Sequence, residues 1–105
     1  MTSPVTDETL YAQYSETLAR VLAEVTDFDP ATLTPDTFFD HLNTASTHLA
    51  RFHGSLADVA DDIDTALAYL GDADEETDPG VRAVLMRKAD KHLEALFFAS
   101  DELVC

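Results

Sequence analysis

The residues best able to do chemistry in this chain are four histidines, 21 carboxylates, a scatter of hydroxyls and one cysteine. His41 and His48 are seven residues apart, which sets them on one face of a helix, with His53 near the same flank and Asp62 among the nearby acids. Zinc sites on helices use His pairs three or four apart plus a third ligand, and no HExxH run exists, so these histidines read as solvated side chains beside an apolar stripe. His92 falls on the apolar face of the last helical stretch and reads as a hydrogen-bonded core or interface residue. Serine, histidine and aspartate are plentiful, yet there is no Gly-x-Ser-x-Gly elbow and no glycine-rich phosphate loop. Three glycines give little from which to build an enzyme pocket. The expectation is a protein that is not an enzyme, with no catalytic residue, cofactor or metal. Cys105 stands last, where it closes no internal loop and does not fit prenylation, which takes a cysteine fourth from the end.

Charge is the outlying number. Over 105 residues, 21 acids against 6 bases give −15 and a pI near 4.2. Phosphate backbones and anionic lipid repel such a chain, so direct nucleic-acid and membrane binding are excluded, and the partner expected is a protein with a basic surface. The acids concentrate in one run: Asp58, Asp61, Asp62, Asp64, Asp72, Asp74, Glu75, Glu76 and Asp78, with no basic residue between Asp58 and Asp78. A solvated face, sharpened by a high-salt interior or by genome composition, is the plain account of this acidic surface. The sharper account is a mimic of nucleic acid that inhibits a nuclease or CRISPR-type effector, of the kind phages encode. The first residues carry neither a basic nor an apolar leader region, and nowhere do eighteen apolar residues run together, which predicts a cytoplasmic protein.

The elements that must position these residues are helices. At 46% hydrophobic content the chain has apolar surface for one domain, spanning 1–105. Tyr11, Tyr14, Leu18, Val21 and Val25 alternate at three and four behind a Thr6 cap, predicting a helix over 7–26 that Pro30 and Pro35 end. Thr34 and Pro35 then open a second helix, in which Phe38, Leu42, Ala45, Leu49, Phe52, Leu56, Val59, Ile63, Ala66 and Leu70 make a strict heptad seam. Gly54-Ser55 with Asp58 also spells a stop and a fresh cap, but the seam keeps its phase through Gly54. The pattern therefore predicts one helix over 35–70, with room for a kink. An acidic connector over 71–78 leads to Asp78-Pro79, which caps a third amphipathic helix over 79–103. The fold class is all-α: a three-helix bundle or extended hairpin with a long central helix. Tyr11, Tyr14, Phe52 and Phe97 are expected to converge where the two shorter helices overlap.

Residues 18–46, including Val-Thr-Asp-Phe-Asp-Pro-Ala-Thr-Leu-Thr-Pro-Asp-Thr-Phe-Phe-Asp-His-Leu, resemble the first helix and loop of an acyl carrier protein. The resemblance implies Ser46 as the phosphopantetheine serine, although the family's Asp-Ser-Leu reads Ala45-Ser46-Thr47 here. The chain length and Phe52-His53-Gly54 resemble the WXG-type secreted helical hairpins, with Phe where that family has Trp. The residues themselves point to a small acidic, non-catalytic protein-binding module: an adaptor, assembly or regulatory subunit that forms a homodimer or takes a helical partner. Its binding seam is expected at Phe38, Leu42, Leu49, Phe52, Leu56, Val59, Ile63 and Leu70, half covered within one chain.

Overall fold

The structure, a computed structural model, describes residues 6–104, so Cys105 lies outside it. It is all-α: α1 (Asp7–Val25), α2 (Phe38–Leu49), α3 (Ser55–Glu75), α4 (Pro79–Leu93) and α5 (Ala95–Val104), with one 3₁₀ turn at Pro30–Thr32. Among the described residues there is no strand. α1 packs on α2 and α5, α2 on α3, and α3 on both α4 and α5, so α1, α2, α3 and α5 close a ring while α4 rests chiefly on α3.

Local chemistry explains the helix starts. The Thr6 hydroxyl accepts from the Thr9 amide at 3.2 Å while the Thr9 hydroxyl accepts from the Thr6 amide at 2.7 Å, a reciprocal cap on α1. Asp78 caps α4 by accepting from the Gly80 amide at 2.8 Å, with Pro79 at the first helical position. α2 begins three residues later than the Thr34–Pro35 signal. Thr34 and Thr37 bond each other's amides first, at 2.9 and 3.3 Å, and this turn occupies the positions expected to be helical.

The long central helix does not form. α2 ends at Leu49, its last turn tightens as the Arg51 and Phe52 amides reach back to the His48 and Leu49 carbonyls, and the chain reverses at Gly54 (φ 73, ψ −134). That backbone region is open almost only to glycine. The reversal is favoured because it lets both halves of the seam face one core. Burying a Leu, Ile or Phe is worth about 1.5–3 kcal/mol, against about 1 kcal/mol for each helical hydrogen bond given up.

The seam is accordingly internal. Phe38, Leu42, Ala45, Leu49, Ile63 and Ala66 are at most 1% exposed, and Val59 and Leu70 are buried with them. Leu56 packs at the core's edge, and only Phe52, at the reversal, stays open. The half-covered seam expected as a partner surface is covered by the chain's own α1, α4 and α5. The acidic connector is also shorter than its sequence suggests, because α3 runs on through Gly71 to Glu75. The third helix is divided at Glu94 into α4 and α5, and Glu94 keeps a right-handed helical backbone (φ −57, ψ −23), so the chain bends there without reversing. Tyr14 and Phe97 do meet, with ring centroids 5.4 Å apart. Tyr11 instead packs edge-on against Phe38 at 5.7 Å, and Phe52 lies apart at the Gly54 turn.

Candidate interaction surface

α3 and α4 are opposite in charge. α3 carries Asp58, Asp61, Asp62, Asp64, Asp72, Asp74 and Glu75 and no base, whereas α4 holds Arg82, Arg87, Lys88 and Lys91 against the single acid Asp90. Packed together, they give several of the acids structural work. His92 Nδ1 lies 3.0 Å from Asp62 Oδ1, and its ring stacks on Tyr69 at 5.8 Å, with the Lys88 ammonium 5.6 Å from the Tyr69 centroid. This places His92 as a half-buried, hydrogen-bonded interface residue between α3 and α4. Asp64 Oδ1 accepts from the buried Ser46 hydroxyl at 2.5 Å, tying α3 to α2. Glu76 accepts from the Asp78 amide at 3.0 Å, and Asp78 caps α4.

Arg82 offsets the worst placement. Asp72, Asp74 and Glu75 crowd the C-terminal turn of α3, where the helix dipole disfavours anions. Arg82 reaches across from α4 and donates to the carbonyls of Ala73 at 3.1 Å and Glu76 at 2.7 Å. Beside it opens a cleft of about 240 Å³ between Asp7, Phe39, Leu70, Asp74, Arg82 and Met86. Partial burial, reinforced by repulsion from Asp74 and opposed by Arg82, raises the Asp7 carboxyl above its ordinary range. The one hydroxyl in the lining, Thr6, is engaged in the α1 cap with Thr9 and has no histidine or lysine beside it, so the cleft offers charge and an apolar floor without a hydrogen-bonded nucleophile–base pair.

The remaining acids form a pattern. Asp58, Asp61, Asp72 and Glu75 are exposed and recur at three, fourteen and seventeen residues, which puts them on one outward face of α3. None is in an ion pair among the described residues. The nine predicted acids thus divide into this stripe, the cleft residue Asp74, and Asp62, Asp64, Glu76 and Asp78, which hold the fold together.

The histidines do not assemble. His41 bonds the Thr37 carbonyl at 2.9 Å and the Thr32 hydroxyl at 3.1 Å, and His48 lies by Val25, Arg51 and Phe52. Among the described residues no group of three His, Cys, Asp or Glu side chains is placed to hold a metal ion. Ser46 is 3% exposed in the middle of α2, and its hydroxyl is engaged by Asp64, so it presents no open position for a prosthetic arm. Phe52-His53-Gly54 forms the turn between α2 and α3.

Part of the broad apolar face of the third helix stays open to solvent. Val81, Val84 and Phe98 are 42–44% exposed, as is Phe97 at 41% despite its contact with Tyr14. Val81 and Val84 belong to the broad apolar face of the third helix, but α4 rests chiefly on one helix, and a single neighbour covers only a narrow strip of that face. No described helix is long and apolar enough to cross a membrane. No family model matches the chain, and neither a curated protein nor a solved structure matches it.

Proposed function

We propose that this chain is a non-catalytic protein-binding module that engages a partner with a basic surface through the outward face of α3. The observation that supports this reading is the stripe of Asp58, Asp61, Asp72 and Glu75, four exposed carboxylates with no cation on their own helix. Close-set charges without internal partners raise the local potential, speed encounter with an oppositely charged surface and disfavour anionic competitors. With the heptad positions buried, the reading rests on this face and not on the seam.

The test changes Asp58, Asp61, Asp72 and Glu75 to their amides, which leaves every core residue and every bond from Asp62, Asp64 and Asp78 in place. Helical circular dichroism should be unchanged. Affinity capture on the wild-type chain identifies the partner, and its association rate with the amide variant should fall by at least about tenfold and lose most of its salt dependence. Unchanged association would overturn the reading. Duplex DNA competing for the same partner would mark the module as a nucleic-acid mimic, and indifference to DNA would mark it as an adaptor.

A further inference from the structure

Val84, Arg87, Lys91, Glu94, Phe98 and Asp101 recur at alternating spacings of three and four along α4, the Glu94 junction and α5, and all six are exposed. They line one face of the bent helix. Because α4 rests chiefly on α3, no helix among the described residues lies over its outward side. Two apolar side chains stay open on this stripe, Val84 at 42% and Phe98 at 43% exposure.

The charges along the stripe are ordered, with both cations in the first half and both anions in the second. Cations are scarce in this molecule, and several others are engaged. Arg20 pairs with Glu16 at 2.7 Å, Arg82 holds the end of α3, and Lys88 lies over Tyr69. Arg87 and Lys91 enter no ion pair among the described residues, although acids outnumber bases by 21 to 6.

A stripe positive at one end and negative at the other is complementary to itself when turned end for end. We propose that its occupant is a second copy of this chain, docked antiparallel about a two-fold axis that passes between Lys91 and Glu94. Lys91 then faces Glu94 of the second copy, and Arg87 lies against the ring of Phe98 of the second copy. The symmetry makes each contact twice. A parallel arrangement would set like charges together, so the charge order selects the antiparallel one. From Val84 to Asp101 the stripe runs about 26 Å at 1.5 Å per residue. One helix width over that length falls short of the roughly 800 Å² per partner that a stable interface buries. The dimer is therefore reversible, concentration-dependent and weakened by salt. It does not rest on the α3 reading, and none of the residues changed to test α3 lies on this stripe.

Sedimentation velocity over a series from about 1 μM to about 1 mM chain measures the association. Wild type should shift from monomer to dimer within that range, and raising salt from roughly 0.05 to 0.5 M should move the midpoint upward at least about tenfold. R87E/K91E and E94K/D101K should each remain monomeric where wild type is dimeric, with unchanged helical circular dichroism. Mixed in equal amounts, the two variants should associate again, as a heterodimer. The mixed pair carries the same total charge as two wild-type chains, so rescue reports contact between the two halves and not net repulsion. Phe98→Ser, which leaves every charge in place, should weaken the dimer and keep the fold. A wild type monomeric throughout, a dimer indifferent to both charge reversals, or a mixture that stays monomeric would each overturn the proposal.

Discussion

Two junctions in this molecule interrupt an apolar pattern that nevertheless runs on in phase. At residues 50–54 the pattern of Leu42, Ala45 and Leu49 continues into Val59 and Ile63, and the chain turns back. At Glu94 the pattern of Met86, Ala89 and Leu93 continues into Leu96 and Ser100, and the chain only bends. Gly54 adopts φ 73 and ψ −134, while Glu94 stays helical at φ −57 and ψ −23. Phase therefore states which side chains face the core in both cases, and the backbone freedom of one residue decides the direction of the chain.

Substitution at the two junctions gives the largest expected contrast. A Cβ at position 54 would meet nothing within 4 Å, so the cost of Gly54→Ala is wholly backbone strain, about 2 kcal/mol. Glu94→Ala changes an exposed side chain on a helical backbone and should cost less than about 0.5 kcal/mol. Urea unfolding of both variants checks the difference, and equal costs would mean that Gly54 does not set the reversal.

A smaller effect comes from the hydroxyl that pins each junction. Ser46 ties α2 to Asp64 of α3 across the first. Across the second, the buried Tyr14 hydroxyl donates to Asp90 Oδ1 at 2.5 Å and holds the last turn of α4 to α1. Ser46→Ala and Tyr14→Phe should each cost about 1–2 kcal/mol in the same measurement, because each removes a hydrogen bond to a carboxylate.

The smallest effect is seen only in alkali. Burial, together with the bond to Asp90 and the negative charges of Asp90 and Glu94, pushes the Tyr14 phenol well above its ordinary 10.0. The folded state therefore keeps this proton after the unfolded chain has begun to lose it. The stability it contributes is complete below pH 10 and falls as pH rises beyond that. Thermal melts should show the advantage of wild type over Tyr14→Phe holding up to about pH 10 and shrinking as pH rises above it. A constant difference would show that the second junction's pin is indifferent to ionisation.

Local signals in the sequence carry the caps and the burial pattern. Thr6 and Thr9, Asp78 and Pro79, and the heptad positions each specify their own cap or burial within a few residues. Tyr14 does meet Phe97, but Tyr11 and Phe52 do not join them, because the long central helix that would bring all four together is broken into α2 and α3. The Gly54 stop shows in Gly54-Ser55 with Asp58, but the unbroken apolar phase argues against it, because a glycine in a helix and a glycine at positive φ read alike when the phase is kept. The division of the acids does not show. Asp62 finds His92 thirty residues away, and Asp64 finds Ser46 eighteen away, through helix registers that exist only after packing. An open part of the third helix's broad face, around Phe97 and Phe98, follows from the helix lengths, whereas its valines look like core until the number of helices covering α4 is known.

The unbroken phase through Gly54 has a topological consequence. If residues 50–54, Gly54 first among them, took helical dihedrals, α2 and α3 would join into a single rod whose apolar side is already continuous. The α1–α2 half of one molecule could then seat on the α3–α5 half of another, remaking the α2–α3 and α1–α5 contacts between chains instead of within one. Such an exchange of helices needs no new surface and no charge pairing. It would be slow, since the core must open first, and it would be insensitive to salt. The glycine that lets the chain fold back on itself is thus the same residue that keeps the two halves of each molecule in its own company.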